Sequence, residues 1–290
     1  MHPLELVKLT TLMGLTDGRP EIVVGLIDGP VAVDHPDLRG AHIRELPGTL
    51  PGKCSQASSI ACIHGTFVAG ILCARRSSAA PAICPNCTLL VRSIFAETTS
   101  ENGVMPSASP QELARAILEC IDAGAQVVNL SAALAQPSSK DERELEHALD
   151  YAAKRGVIAV VAAGNQGTVG STAITRHPWV IPVIACDLHG RPLNLSNLGS
   201  SIGRRGLSAP GDEVTSLNTD SQPLTSGGTS VAAPFVTGAI ALLWSLFPSA
   251  TAAEVKLAVI HAHASRRATV VPPLLDAWAT YQALMTMQRR

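Results

Sequence analysis

Aromatic and charged residues are both scarce in this chain of 290 residues. Phe, Trp and Tyr make up 3% of the sequence and Asp, Glu, Lys and Arg make up 16%, against 46% hydrophobic residues. Charged residues usually account for about a quarter of a globular protein, so this composition indicates a large core, such as a parallel sheet buried on both faces. With so few aromatic residues, that core must be packed mainly by Ala, Val, Leu and Ile.

Basic clusters and signal-peptide features are also missing. The net charge is −1, and no group of Lys and Arg is interleaved with aromatic residues, which excludes nucleic acid as a partner. The first fifteen residues contain Glu5 and Lys8 but no basic head, continuous apolar stretch or cleavage site. One long uncharged run, residues 221–253, begins with polar turn residues and is interrupted by Pro234 and Gly238. We therefore expect no membrane span and no membrane partner.

The order of elements predicts an α/β fold. The length of the chain suggests about two domains, but the sequence contains no linker, so we expect a single domain over residues 1–290. Helical stretches at 110–123 and 139–155 alternate with strand signals, and residues 231–247 are apolar on every face, as in a central buried helix. This alternation predicts a doubly wound, mostly parallel sheet with helices on both faces. The predicted strands are residues 22–28, 88–95, 126–131, 157–163 and 180–186.

The most informative stretch is residues 228–234 (GTSVAAP), which place Ser230 between a glycine turn and the start of an apolar helix. A serine there has an unpaired backbone N–H, and the helix dipole adds partial positive charge where an oxyanion would form. Pro234 is tolerated if it lies in the first turn. A serine at this position is more often a simple N-cap, so the assignment depends on other segments.

Two of these segments supply an aspartate and a histidine. Residues 22–28 (IVVGLID) read as a buried parallel strand that ends in Asp28, and ligands of open α/β sheets lie at the carboxyl ends of strands. Residues 64–72 (HGTFVAGIL) place His64 at the head of another apolar helix. The chain order Asp28, His64, Ser230 is one of the orders known for a catalytic triad.

A fourth segment, residues 157–165 (VIAVVAAGN), is a buried strand followed by a side-chain amide, Asn165, that can donate to an oxyanion. With this segment the sequence resembles the subtilisin-like serine proteases. The resemblance is carried by residues 27–29 (IDG), 64–66 (HGT), 162–165 (AAGN) and 228–234, and it runs to a closing segment at 274–279 (LLDAWA).

The resemblance implies a role for each of these residues. Ser230 would attack a peptide carbonyl, His64 would take its proton and return it to the leaving amine, and Asp28 would hold the imidazole tautomer. Asn165 and the Ser230 N–H would bind the oxyanion. By the same analogy, Ser131, Ala132 and Ala133 would pair with the substrate backbone. These three residues would also form one wall of the pocket for the substrate residue before the cut bond, and Ala163 and Gly164 would form the other wall. We expect that pocket to be small, with residues 170–174 at its base.

Within the family, the start of the catalytic block (Asp28, Gly29, Pro30) and the absence of a pro-segment resemble the cyanobactin-maturation proteases, which remove leader peptides from ribosomal precursors. The expected partner is a peptide or precursor peptide, and the expected location is cytoplasmic. The transpeptidase branch carries a large helical insertion, for which the interval from Asp28 to His64 leaves little room. Transpeptidation and a non-catalytic peptide-binding module remain the alternatives, and the oligomeric state stays open.

The seven cysteines allow three interpretations. Cys54 and Cys62 flank the loop before His64, and Cys84 and Cys87 lie in a proline-containing loop. Two local disulfides, free thiols and a four-cysteine zinc site all fit these spacings. We expect neither a metal in the active site nor a cofactor.

Overall fold

The computed structural model describes residues 1–97, 108–131, 142–261 and 269–289. A seven-stranded sheet lies at the centre of these residues. In chain order its strands are β1 (Val23–Asp28), β2 (His42–Glu45), β3 (Thr88–Ser93), β4 (Val127–Leu130), β5 (Ile158–Ala162), β6 (Val180–Cys186) and β7 (Leu207–Pro210). Their spatial order is β2-β3-β1-β4-β5-β6-β7, and every neighbouring pair is parallel.

Helices connect the strands and cover the sheet. They are α1 (Pro3–Leu6), α2 (Leu9–Met13), α3 (Ile60–Cys73), α4 (Pro110–Asp122), α5 (Glu142–Arg155), α6 (Ala173–Arg176), α7 (Ser200–Arg205), α8 (Thr229–Leu246), α9 (Ala252–His261) and α10 (Ala277–Met287). A separate antiparallel hairpin, β8 (Val214–Leu217) and β9 (Pro223–Ser226), precedes α8. One hydrophobic cluster includes residues of α3, α8 and α9 and another includes residues of α4 and α5, so the two faces of the sheet are each covered by helices.

The predicted doubly wound parallel sheet is confirmed. All five predicted strands are present, with ends within two residues of the predicted ones. Strands β2 and β7 were not predicted; each is four residues long, and they lie at the two edges of the sheet. The predicted N-cap of α5, at residue 138 or 139, lies outside the described residues.

Helix α8 is the central helix predicted from its uniform apolarity, and it begins two residues earlier than expected. It is long and apolar enough to cross a membrane, but 89% of it is buried inside the protein. Pro234 lies inside this helix rather than in its first turn, which corrects the prediction. Since proline has no N–H, the carbonyl of Ser230 loses its usual helical donor.

Candidate active site

Strand β1 brings Asp28 to the carboxyl edge of the sheet. The side chain of Asp28 is fully buried, because the strand is covered on both faces. Its Oδ1 accepts a hydrogen bond of 2.6 Å from the backbone N–H of Gly29. Its Oδ2 has no hydrogen-bond partner among the described residues. One oxygen of this buried carboxylate therefore carries all of its observed hydrogen bonds.

His64 connects Asp28 with Ser230. Helix α3 begins at Ile60, so His64 lies in its second turn and not at its head, which corrects the sequence prediction. The Nδ1 atom of His64 lies 2.7 Å from Asp28 Oδ1, and Nε2 lies 3.0 Å from Ser230 Oγ. If Nδ1 donates to the carboxylate, Nε2 is left to accept the hydroxyl proton of Ser230.

The pKa of His64 is set by two opposing effects. Burial alone would lower this pKa, but the charge of Asp28 and its hydrogen bond to the ring outweigh burial, so the pKa is raised above 6.5. The same carboxylate therefore orients the ring and stabilises its protonated form.

Ser230 is the second residue of α8, as the sequence predicted. The N-cap is Gly228, whose φ of 122° lies in a region that side-chain-bearing residues rarely adopt. No described residue accepts the backbone N–H of Ser230. This free N–H, together with the helix dipole, forms one half of a site for an oxyanion.

Asn165 follows β5 and is held in one orientation by Thr229. Its Oδ1 accepts hydrogen bonds of 2.9 Å from both the backbone N–H and the hydroxyl of Thr229. Because Oδ1 is occupied, the amide group Nδ2 is the free donor, and it lies on the side of Gly228. The sequence analysis did not identify Thr229 as a residue that positions Asn165. Its place directly before Ser230 in the GTS stretch was the signal that could have indicated this role.

The predicted substrate-binding residues are only partly placed. Ser131 follows β4 and is buried, with its hydroxyl 2.9 Å from Asn129 Nδ2. Ala163 and Gly164 follow β5 and are buried next to α8, where the Gly164 N–H donates to Thr229 Oγ1 at 3.2 Å. Ala132 and Ala133 lie outside the described residues. Within the predicted base of the pocket, Ala173 and Ile174 belong to α6 and are buried.

The cysteines form one disulfide. Cys54 and Cys62 are bonded, which confirms one of the two predicted pairs. Cys84 and Cys87 are thiols, so the second predicted disulfide is wrong in this structure. Both are nearly inaccessible to an oxidant, at 1% and 2% exposure. A four-cysteine zinc site is also wrong, because a disulfide leaves Cys54 and Cys62 without thiolates.

A model of the subtilase family matches residues 19–276. The chain belongs to the subtilase family. Among curated subtilases it is 32% identical over 234 residues to the "Thermophilic serine proteinase" of Bacillus sp. (strain AK1). This alignment covers 80% of the chain but 54% of that proteinase, so the chain spans about half the length of this relative.

Two solved protease structures are similar over almost the whole chain. A mutant of the protease domain of PatA is 28% identical with a TM-score of 0.84, and the alignment covers 93% of this chain and 97% of that one. The prenylagaramide maturation protease PagA is 27% identical with a TM-score of 0.83, covering 95% and 98%. The resemblance to cyanobactin-maturation proteases inferred from the sequence is thus confirmed at the level of structure.

Proposed function

We propose that this subtilase is a serine endopeptidase that hydrolyses peptide bonds through an acyl-enzyme on Ser230. The observation that carries the proposal is the continuous hydrogen-bonded chain from Asp28 Oδ1 through His64 to Ser230 Oγ, with contacts of 2.7 and 3.0 Å. Nucleophilic catalysis by a hydroxyl requires a base within this reach and a third group that orients the base. A module that only binds peptides has no need for the arrangement.

In the proposed reaction the Ser230 oxygen attacks the carbonyl carbon as His64 Nε2 takes its proton. The resulting oxyanion accepts hydrogen bonds from the Ser230 N–H and Asn165 Nδ2. His64 then protonates the leaving amine, the C–N bond breaks, and water repeats the sequence to release the acid. Asp28 keeps the imidazole in the tautomer that both transfers require.

Labelling with a fluorophosphonate, followed by peptide mapping, tests the nucleophile. We expect one modified residue, Ser230, in the wild type and none in Ser230→Ala. The variant should retain only about 10³–10⁴-fold acceleration over water, from the oxyanion donors and binding. Ser249→Ala, at an exposed serine, should label and turn over normally. Label on another residue, or full activity in Ser230→Ala, would refute the proposal.

We propose a precursor peptide as the substrate, with removal of its leader as the reaction. The support is the likeness to PatA and PagA, which are named as maturation proteases. Residues 29–59 contain one short 3-10 turn and β2, without the large helical insertion expected of the transpeptidase branch. This favours water over an amine as the acyl acceptor.

Mass spectrometry of the products distinguishes the two acceptors. A leader-containing peptide should yield the free acid both with and without an added nucleophilic peptide. A joined or cyclic product would show that the reaction is transpeptidation and not hydrolysis. If a generic peptide were cleaved but the precursor were not, the proposal of leader removal would fail while the proposal of a serine endopeptidase would stand.

A further inference from the structure

A cavity of about 280 Å³ lies at the edge of the sheet opposite to the triad. Its walls include Trp179, just before β6, and Arg205, at the end of α7 just before β7. It therefore lies at the amino edge of the parallel sheet, whereas Asp28 and Asn165 follow the carboxyl ends of their strands. We call it the basic pocket, and its polar lining consists of Trp179, Arg204, Arg205, Lys256 and His261.

Three cations of the basic pocket, Arg204, Arg205 and Lys256, have no acidic partner among the described residues. No ion pair there involves Arg204, Arg205 or Lys256. Lys256 Nζ donates to the carbonyl of Pro178 at 2.8 Å and lies 4.9 Å from the centre of the Trp179 ring. Glu254, the acidic residue of the same helix α9, already accepts hydrogen bonds from the N–H and the hydroxyl of Thr251.

This concentration of like charge is costly to the protein. Burial and the neighbouring Arg205 lower the pKa of Lys256 to about 8, and burial and Arg204 lower the pKa of Arg205. Each cation therefore destabilises the charge of the next. An anion between them would remove this repulsion.

Arg205 also carries an unsatisfied donor. Its Nη2 donates to the carbonyl of Arg176 at 2.7 Å, which gives this group a structural role. Its Nε is buried and meets no acceptor among the described residues. Buried donors without partners are rare and cost about 1–3 kcal/mol, more when charged. Capping of the C-terminal carbonyls of α6 explains Arg205 alone among the cations and leaves its Nε donor unpaired.

We propose that the basic pocket binds a compact oxyanion of the phosphate class. A phosphoryl group carries close to two negative charges at neutral pH and several acceptor oxygens, which matches two guanidinium groups and an ammonium. A single carboxylate would leave at least two of these three cations unneutralised. The cavity, of about 280 Å³, has room for a phosphoryl group and for part of the molecule that carries it.

Thermal melting in sodium phosphate, compared with sodium chloride at equal ionic strength, tests the proposal. Phosphate should raise the melting temperature in a saturable way, while chloride should not. Arg204→Gln removes an exposed charge that forms no ion pair with any described residue, so this variant should fold and cleave peptides like the wild type. We expect its affinity for phosphate to fall about tenfold, since a charge-assisted hydrogen bond to the anion is lost.

Arg191→Gln is the matched control, because Arg191 is an exposed arginine paired with Asp187 away from the basic pocket. It should respond to phosphate like the wild type. Titration with inorganic phosphate and with O-phosphoserine identifies the source: similar affinities indicate recognition of the phosphoryl group alone, and binding of O-phosphoserine only indicates a phosphomonoester. Equal melting shifts in phosphate and chloride, an unchanged affinity in Arg204→Gln, or stronger binding of a glutamate-rich peptide would overturn the proposal.

Discussion

At the scale of single residues, Thr229 decides where the Asn165 amide points. In Thr229→Val one of the two hydrogen bonds to Asn165 Oδ1 is lost, while the backbone bond remains. We expect kcat to fall about tenfold with little change in KM, which is less than the 10²–10³-fold loss when an oxyanion donor is removed. Steady-state kinetics on a chromogenic peptide measures the effect.

Two variants accompany this experiment. Thr229→Ser keeps the hydroxyl and should restore most of kcat. Thr286→Val removes an exposed hydroxyl of α10 that donates to the carbonyl of Gln282, and it should be neutral. If Thr229→Val and Thr229→Ser were equally impaired, the methyl group and not the hydroxyl would hold the site together.

The pKa of His64 determines how activity depends on pH. Only the neutral imidazole accepts the serine proton, so kcat/KM should rise with pH. Because Asp28 raises this pKa above 6.5, the midpoint of the rise should lie above 6.5. In Asp28→Asn burial is unopposed, so NMR titration of the ring should give a pKa below 6.5. The same pKa in both proteins would show that the carboxylate does not control the base.

At the scale of elements, the close approach of β1 to α3 positions Asp28 against His64. Residue 29, directly after Asp28, is a glycine in this chain. The structure supplies a reason, because a Cβ at residue 29 would lie 2.0 Å from the carbonyl oxygen of Ala61 in α3. A hydroxyl donor for the unpaired Oδ2 of Asp28 therefore has no space at this position.

Gly29→Ser should accordingly separate β1 from α3. We expect a loss of at least about 1–3 kcal/mol in the free energy of unfolding, as for overpacked cores, and a loss of fluorophosphonate labelling. Urea denaturation measures the first effect. Gly170→Ser is the control for stability, because a Cβ at Gly170 has open space. A Gly29→Ser protein as stable as the wild type would mean that α3 shifts without cost.

The Cys54–Cys62 disulfide closes the loop directly before α3. A loop of this length contributes about 2–3 kcal/mol in the chain-entropy model, so a reductant should lower the melting temperature of the wild type. The Cys54→Ser, Cys62→Ser double variant should melt lower and be insensitive to reductant. Alkylation of the unreduced, denatured wild type should modify five cysteines, the five that are free in the structure. Three modified cysteines would reveal a second disulfide.

Sequence patterns predicted the elements that are buried or chemically constrained. The five inner strands show as apolar runs, and Asp28, Asn165 and Ser230 show as residues at strand or helix ends. His64 was found from its HGT stretch, although it lies in the second turn of α3. The short edge strand β2 has mostly exposed residues, so it leaves no apolar run to read. The role of Thr229 and the clash at Gly29 depend on segments distant in the sequence. The start of α3 at Ile60 was also missed, although the preceding residue, Ser59, is of a type that often caps helices; its side chain makes no capping hydrogen bond here.

At the scale of the whole molecule, a buried ion cluster ties the sheet to its α4 face. Arg92 of β3 is fully buried, with Nε 2.5 Å from Glu119 and Nη2 2.7 Å from Glu112. Burial raises the pKa of Glu112, but the hydrogen bond and charge of Arg92 outweigh it and lower this pKa below 4.5. The stabilisation is therefore present above about pH 4.5 and is lost as the pH falls through the lowered pKa.

Arg92→Met tests this contribution. We expect a loss of about 1–3 kcal/mol at pH 7, less than for a fully buried ion pair because Glu112 and Glu119 are partly exposed, and a weaker decline of stability between pH 5 and pH 3. Urea denaturation across that range measures both. Arg39→Met, at an exposed arginine, should leave stability and its pH dependence unchanged. Parallel pH curves for the wild type and Arg92→Met would contradict the role of the cluster.

The two edges of the sheet are closed in different ways. At β7, the N–H of Ser208 donates to the carbonyl of Pro273, and its carbonyl accepts from Leu275, so the segment before α10 occupies that edge. At β2, the outermost strand carries His42, Arg44 and Glu45 as exposed polar side chains. Neither edge presents a row of free backbone N–H and C=O groups flanked by apolar side chains, to which a strand of another chain could pair. A second copy of the chain therefore finds no favourable edge on which to add a strand, which disfavours edge-to-edge association of a sequence that is 46% hydrophobic.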